Sequence, residues 1–382
     1  MTRLAVALLA AALATSPASA QAPQPFADAA ARPANADEQR VWDMGDEFDA
    51  MLRKSGRLLD DERVQAYVQE VSDRLFPEFK GRLRVRVVRS PQLNAFALPN
   101  GSLYINEGLL ARFENEGQLA TVLAHEGAHF THRHSFQQQQ SVRSAAAAGT
   151  FLAILGIPVL SPLAQVLALS SVFGFSRELE AEADRVGFER LVAAGYDPRD
   201  GPRVFDHLAK ETRAAEIQEP WFFSTHPKLQ ERFDSFTRLA ATVPPPATTP
   251  QDAYQERIGQ LRVRNLENEL SAGRFRQLIV VLTDPEQLRL YPPFAPYYLG
   301  EAYRMRSDKG DAELAERAWR EALAAAPGFA PTYRALGMHY LKQEDYAQAA
   351  DFLERFLALA KSPAERAYAE SYLQAARDKV QR

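Results

Sequence analysis

The residues best suited to chemistry are the five from His125 to His129, which read His-Glu-Gly-Ala-His within a helical pattern. Because residues four apart lie on one face of a helix, the imidazoles of His125 and His129 can reach the same metal ion. A catalytic zinc site uses about three protein ligands and keeps one position for water. Glu126 follows the first imidazole and is placed to take a proton from that water. The motif therefore predicts one Zn2+ per chain and a hydrolytic reaction.

A third metal ligand must come from a distant segment, because Ser135 stands where another zinc-site pattern would place a third histidine. The acidic run that ends at Asp184 supplies carboxylates on a second predicted helix. Glu180 and Asp184 are four residues apart and share one face, whereas Glu182 points elsewhere. We expect Glu180 to bind zinc and Asp184 to accept a hydrogen bond from a ligand imidazole. An exposed acidic helix is the alternative interpretation of this run.

Hydrophobic periodicity predicts the elements that must position these residues. Apolar residues at helical spacing predict a helix over residues 62–75, and residues 117–134 are predicted to form one helix. Alternating apolar residues and an Asn-Gly pair typical of hairpins predict three strands, at residues 83–88, 94–98 and 102–105. We therefore expect an α+β domain, mostly helical with a small sheet.

The start of the chain differs from its middle in composition. Residues 1–20 are predicted as a secretory signal peptide, because Arg3 precedes an apolar run and residues 18–20 (Ala-Ser-Ala) fit a cleavage site. Residues 21–36 are rich in Ala, Pro and Gln and are predicted to be disordered. The catalytic domain is predicted over residues 37–240. This arrangement predicts a periplasmic protein.

A hydrophobic stretch separates the two metal-binding segments, since residues 144–176 contain no charged residue. Pro158 and Pro162 divide the stretch into pieces that are each too short to cross a bilayer as a helix. It is therefore predicted as a hydrophobic hairpin. We expect residues 145–175 to touch a membrane surface peripherally or to cap the active-site groove. A hairpin buried in the protein core is the alternative.

The last third of the chain carries a repeat. Three consecutive prolines make residues 241–250 a predicted stiff linker, and residues 251–382 are helical in pattern. Leu-Gly-x-x-Tyr occurs at residues 299–303 and again at 336–340, in each case before an Ala-rich helix and a proline. This pattern is similar to tetratricopeptide repeats, in which the small glycine lets paired helices pack closely. The alternative is an unrelated helical bundle.

Overall composition excludes several classes of protein. The formal net charge of −4 over 382 residues argues against nucleic-acid binding. The chain has no cysteine, which excludes disulfides, thiolate zinc ligands and cysteine nucleophiles. With 46% hydrophobic and 25% charged residues, the composition is that of a globular protein with a buried core.

Taken as a set, these motifs resemble a family of zinc metallopeptidases of the gluzincin type. The family groups HtpX, the CAAX prenyl protease and the periplasmic BepA-like proteins, and the attached helical repeat resembles the BepA-like type in particular. The resemblance covers residues 37–239. The matching stretches are residues 94–101, 107–110, 125–134 (ending in Arg133-His134), 180–184 with Gly187, 194–198 and 224–227.

The resemblance implies site residues beyond those reached from spacing. It supports zinc binding by His125, His129 and Glu180, with Glu126 as general base. It also implies that His226 lies near the metal, as a transition-state hydrogen-bond donor or a removable fourth ligand. Arg232 would help to hold His226. The Thr-His-Pro sequence around His226 also suits a simple loop.

These observations predict a zinc endopeptidase of the bacterial cell envelope that cleaves unfolded or misassembled envelope proteins. An edge strand would pair with an extended substrate backbone through Asn94, Ala95, Phe96 and Ala97. The repeats would dock protein substrates or an envelope assembly complex. The alternative hypothesis is an envelope chaperone or outer-membrane assembly factor with a latent metal site.

Overall fold

The computed structural model describes residues 23–144, 175–214, 229–246 and 253–381. The predicted signal peptide (residues 1–20), almost all of the predicted hydrophobic hairpin and His226 lie outside these ranges. Among the described residues, no helix is both long enough and apolar enough to cross a membrane.

The first part of the chain combines helices with three short strands. In order, its elements are α1 (Ala36–Lys54), α2 (Glu62–Leu75), a 3-10 turn (Pro77–Phe79), β1 (Arg84–Val88), β2 (Ala95–Ala97), β3 (Ser102–Asn106), α3 (Glu107–Arg112), α4 (Glu116–Thr131), α5 (His134–Ser144), α6 (Arg177–Ala193), α7 (Asp200–Ala214) and α8 (Leu229–Ala240). The predicted mostly helical domain with a small sheet is confirmed for the described residues.

The sheet has the strand order β1-β3-β2, with β1 parallel and β2 antiparallel to β3. The predicted hairpin joins β2 to β3. Its turn is closed by the amide of Leu98, which donates to the Ser102 carbonyl at 2.8 Å. Gly101 has a φ of 85°, a conformation that costs a glycine little. The hairpin leaves β2 at the edge of the described sheet.

Helix α4, which carries the His-Glu-Gly-Ala-His motif, is buried along its whole length. It contacts α2, α6, α7 and the two hairpin strands, so its apolar residues need not form a single stripe. Asn115 caps its first turn by accepting a hydrogen bond from the Gln118 amide at 2.9 Å. The buried position holds the motif on a rigid element.

The predicted single helix over residues 117–134 is wrong at its end. Helix α4 stops at Thr131, and α5 begins at His134. Between them Arg133 adopts the left-handed conformation with φ 59°. Its guanidinium forms two hydrogen bonds with the Glu38 carboxylate, at 2.8 and 2.5 Å, which help to hold this turn. The break changes the direction of the chain just after the motif.

Residues 23–35 precede α1 and lie against the domain, which differs from the disorder expected over residues 21–36. The amide of Phe26 donates to the Thr131 carbonyl at 2.8 Å. The Phe26 ring packs against Trp42 and Phe130, with centroid distances of 5.8 and 5.4 Å. The partly buried Phe26 ring and a second backbone hydrogen bond, from the Ala29 amide to the Glu78 carbonyl at 2.9 Å, hold this segment against the domain.

The last part of the described chain is entirely helical. Its helices are α9 (Tyr254–Ser271), α10 (Phe275–Thr283), α11 (Pro285–Leu288), α12 (Pro296–Arg306), α13 (Asp311–Ala325), α14 (Ala330–Lys342), α15 (Tyr346–Leu359) and α16 (Pro363–Val380). Helices α12 and α13 pack together, as do α14 and α15. A β-carbon on Gly300 would lie 2.4 Å from Trp319, and one on Gly337 would lie 2.8 Å from Leu353. Both glycines therefore permit the close packing that the sequence predicts.

The hydrophobic core of the first part does not stop at the predicted linker. Tyr254, Ile258 and Leu261, all on α9, belong to the same buried cluster as the residues of α2 and α4. A separate cluster begins at Leu266 and covers the remaining helices. The division between the two cores therefore lies within α9, whereas the sequence predicts a boundary at residues 241–250.

Candidate metal centre

Helix α6 brings the acidic run against the motif helix. Ser176 caps its first turn, and Gly187 lies against the backbone of α4. A β-carbon on Gly187 would be 3.2 Å from the His125 amide nitrogen, which is tighter than most contacts of this kind. The small residue therefore lets α6 approach closely enough for its first two turns to face the histidines.

Three predicted ligands converge at this contact. The Nε2 atoms of His125 and His129 lie 2.9 Å apart. The Glu180 carboxylate lies 3.5 Å from Nε2 of His125 through Oε2, and 3.6 Å from Nε2 of His129 through Oε1. All three side chains are buried. Within the described residues they form the one group of histidines and acids close enough together to hold a metal ion.

These separations fit a tetrahedral metal ion. Zinc bonds of about 2.0–2.1 Å place neighbouring ligand atoms about 3.3 Å apart, and the observed distances lie on both sides of that value. Two imidazole nitrogens and one carboxylate are acceptor atoms that point toward the same place. A cation stabilises such a cluster, whereas the buried acceptors alone repel one another. The side chains present therefore fit a bound metal ion.

Each of the two imidazoles also has a contact at Nδ1, the ring nitrogen that does not face the metal position. Nδ1 of His125 lies 3.0 Å from Oδ1 of Asp184, the position that the sequence predicts for this carboxylate. Nδ1 of His129 lies 2.9 Å from Nδ1 of His134. The Phe175 ring stacks on the His129 ring, with centroids 3.9 Å apart and planes at 15°. Both ligand rings are thus fixed, which keeps their Nε2 atoms directed at the metal position.

The sequence leaves open whether His134 lies on the helix surface or beside a metal ligand, and the structure places it beside His129. The turn at Arg133 carries it back beneath His129, where it is fully buried. Its Nε2 lies 3.2 Å from Oε2 of Glu182, an acid that is not part of the ligand group and contacts this histidine instead. Burial lowers the pKa of His134 to about 4, which favours the neutral imidazole. Only the Arg133-His134 pair at the end of the matched motif hinted at this contact.

Glu126 lies on α4 directly after His125 and is 1% exposed. A carboxylate in a buried metal site can exchange protons with water at the same site. His226 lies outside the described residues. Arg232 lies on α8, but its side chain is also outside what the structure describes. Their predicted roles therefore remain predictions.

The strand β2 contacts α4. The Asn94 carbonyl accepts a hydrogen bond from the Asn106 amide at 2.9 Å, and the Leu98 amide pairs with β3 in the same way. Because antiparallel pairing alternates, the peptide groups of Ala95 and Ala97 face away from β3. Within the described residues β2 pairs only with β3, and its outer edge is buried at Ala95 and half-buried at Ala97.

Comparison with known proteins identifies the domain that carries this site. Residues 58–240 match the model of peptidase family M48. The chain is 30% identical to the beta-barrel assembly-enhancing protease of Yersinia pestis over 224 residues, which are 55% of this chain and 46% of the relative. It is 28% identical to the Escherichia coli protein of that name over 258 residues, 61% of this chain and 53% of the relative.

A third relative is the mitochondrial metalloendopeptidase OMA1 of Arabidopsis thaliana, 36% identical over 153 residues, which are 39% of this chain and 30% of the relative. The chain spans about half the length of the beta-barrel assembly-enhancing proteases it matches. The matched region contains the motif helix, the acidic helix and the converging side chains of His125, His129 and Glu180. Residues 58–240 of this chain are therefore a domain of peptidase family M48, a family of metal-dependent peptidases.

Proposed function

We propose that this chain is a zinc-dependent endopeptidase of the bacterial cell envelope. The observation that carries the proposal is the convergence of His125, His129 and Glu180 beside a buried Glu126 on the same helix as the two histidines. Two histidines and one glutamate form the ligand set of known catalytic zinc sites in peptidases. A purely structural zinc site needs no carboxylate base next to its ligands.

Each residue of the proposed site has its own role in peptide hydrolysis. A zinc ion held by His125, His129 and Glu180 would lower the pKa of water and polarise the scissile carbonyl. Glu126 accepts the proton of the attacking water and passes it to the leaving amine. Asp184 keeps the His125 ring in its binding orientation through Nδ1.

His226 and Arg232 complete the proposed site on the strength of the sequence motif alone. His226 would donate a hydrogen bond to the transition state, or would bind the metal as a fourth ligand that leaves before reaction. Arg232 follows it by six positions and would hold it in place. A histidine on the metal would keep the site latent until a substrate or partner arrives.

The position of β2 at the edge of the described sheet is the basis for proposing a substrate in extended conformation. The peptide groups of Ala95 and Ala97 face away from β3 and would pair with a substrate backbone, whereas the Phe96 side chain packs against Phe48 and Tyr104. Only a chain without stable structure at the cleaved segment can add a strand in this way. We therefore propose unfolded or misassembled envelope proteins as substrates, in the periplasm. The names of the beta-barrel assembly-enhancing relatives support outer-membrane proteins in particular.

The C-terminal helices are proposed as a tetratricopeptide-like domain that docks substrates or an envelope assembly complex. The paired packing of α12 with α13 and α14 with α15 supports this proposal, as do the two close-packed glycines. Stacked helical pairs present extended surfaces to other proteins. The repeat surface would hold a partner while the edge strand selects the cleaved segment.

A cleavage assay on one substrate in two states tests the proposal. Purified chain lacking residues 1–20 is loaded with zinc and mixed with an outer-membrane β-barrel protein, either unfolded or folded in detergent. We expect cleavage of the unfolded form only, and its loss with a chelator. Equal cleavage of both forms would contradict the substrate preference. A zinc-loaded protein that cleaves neither form but prevents aggregation of the unfolded one would favour the chaperone alternative.

A further inference from the structure

The two ligand histidines are oriented by different kinds of partner. Asp184 is a carboxylate and lies 3.0 Å from Nδ1 of His125. The partner of His129 is another imidazole, that of His134, at 2.9 Å between the two Nδ1 atoms. This asymmetry matters because an imidazole accepts a hydrogen bond at a nitrogen only when that nitrogen carries no proton.

Metal binding through Nε2 of His129 would determine which ring nitrogens in this series of contacts carry protons. His129 offers Nε2 to the metal position, since that atom lies 2.9 Å from Nε2 of His125 and 3.6 Å from Glu180. A neutral imidazole that binds through Nε2 carries its proton on Nδ1. That N–H donates to Nδ1 of His134, whose own proton then lies on Nε2 and donates to Glu182 at 3.2 Å.

We propose that His134 and Glu182 form a positioning relay that fixes the ring and the tautomer of His129 and so sets the metal affinity of the site. The proposal rests on the proposed metal site. Neither residue contacts the metal position; each acts through the next. The relay joins both metal-binding helices, because His134 follows α4 and Glu182 lies on α6 between Glu180 and Asp184.

The surroundings of His134 support a positioning role. Its side chain is fully buried, whereas that of Glu182 is 38% exposed. The turn that brings His134 to His129 depends on Arg133, which is paired with the buried Glu38 of α1. A buried histidine at a left-handed turn, with both ring nitrogens in contact, is held in one orientation. It can therefore hold the ring of His129 in turn.

The relay can be tested without an activity assay by measuring the zinc affinity of the chain lacking residues 1–20. The measurement uses competition with a chromophoric chelator. His134→Phe keeps a ring but removes the acceptor, and we expect the zinc dissociation constant to rise by roughly 10- to 100-fold. His134→Asn places an amide oxygen near the position of Nδ1 and should recover most of the affinity. Glu182→Ala, at a half-exposed position that tolerates truncation, should weaken zinc binding by an intermediate amount.

Two matched controls separate the relay from general effects of substitution. His132→Phe changes a neighbouring histidine whose Nδ1 faces Thr131 at 3.0 Å, and Glu189→Gln changes an exposed acid on α6. Both should bind zinc like the wild type. Wild-type affinity in His134→Phe and Glu182→Ala would overturn the proposal, as would equal losses in His134→Phe and His134→Asn. A wild-type chain that binds zinc but cleaves nothing would refute the proposed function and leave this test intact.

Discussion

Gly127 lies in the middle of the motif helix, and its replacement by alanine tests how tightly that helix is packed. An added β-carbon would lie 2.3, 2.5 and 3.1 Å from three ring carbons of Phe76. Carbon atoms in good contact are about 3.5–4.0 Å apart, so the ring or the helix must move by about 1 Å. Phe76 is 1% exposed and its ring lies beneath the guanidinium of Arg190, 4.9 Å away, so the ring has little room.

We expect Gly127→Ala to lower the free energy of unfolding of the metal-free protein by about 1–3 kcal/mol, the usual cost of overpacking a core. The helix carries His125 and His129, so a displaced α4 should also weaken zinc binding. Urea unfolding, followed by circular dichroism with and without zinc, measures both effects. The double variant Gly127→Ala with Phe76→Leu should regain part of the loss.

Gly259 provides the matched control. It lies inside helix α9, and a β-carbon there would meet nothing within 4 Å. Alanine is the better helix former, so Gly259→Ala should stabilise the protein by up to about 1 kcal/mol. If Gly127→Ala were as stable as the wild type, or gained stability as Gly259→Ala should, the packing argument would be refuted.

Three further predictions concern the buried charges. Asp184→Ala removes the partner of the first ligand imidazole, and we expect roughly a 10- to 100-fold weaker zinc affinity in chelator competition. Arg112→Met leaves the buried Glu211 carboxylate without its counter-charge, whereas Glu269 keeps its ion pair with Arg274, and should cost about 3–5 kcal/mol in urea unfolding. Burial opposes ionisation of Asp49, but hydrogen bonds from a tyrosine and an arginine outweigh it and lower its pKa. Asp49 therefore stabilises the fold above its unfolded-state pKa, and its advantage over Asp49→Asn should shrink below about pH 4.

Each of these predictions has a result that would contradict it. Unchanged zinc affinity in Asp184→Ala would show that the carboxylate does not orient the ligand. Arg112→Met should be largely rescued by adding Glu211→Gln, because Glu269 keeps its ion pair with Arg274 and no buried carboxylate is then left without a counter-charge. Failure of that rescue, or a loss of less than about 1 kcal/mol, would refute the ion-pair account. A constant difference in stability between the wild type and Asp49→Asn from neutral to acid pH would contradict the assigned pKa direction.

Local patterns in the sequence predict much of what positions the site. The helix over residues 62–75 has the predicted bounds, and the hairpin turns at Asn100-Gly101 as expected. The placement of Glu180 and Asp184 on one face of α6 also follows from spacing alone. These features depend on periodicity and turn chemistry within a few residues, which a single sequence records directly.

The features that the sequence did not reveal depend on contacts between distant segments. The turn at Arg133 is held by Glu38, nearly a hundred positions earlier, and it alone brings His134 to His129. Tyr254 lies after the predicted linker but belongs to the first core, and its hydroxyl donates to the Leu110 carbonyl at 2.5 Å. The sequence around Arg133 and the sequence around Tyr254 both look like those of ordinary helices. Long-range packing overrides the local pattern at both places.

The most direct test compares the wild-type chain lacking residues 1–20 with its Glu126→Gln variant, measuring zinc content and cleavage of an unfolded β-barrel protein on the same samples. Glutamine has nearly the same shape as glutamate but cannot accept the proton. We predict one zinc ion in both proteins and a loss of cleavage in the variant of roughly 10²- to 10⁴-fold. Cleavage by the variant at the wild-type rate would contradict the role of Glu126 as general base. Absence of bound zinc from the wild type would contradict the metal centre itself.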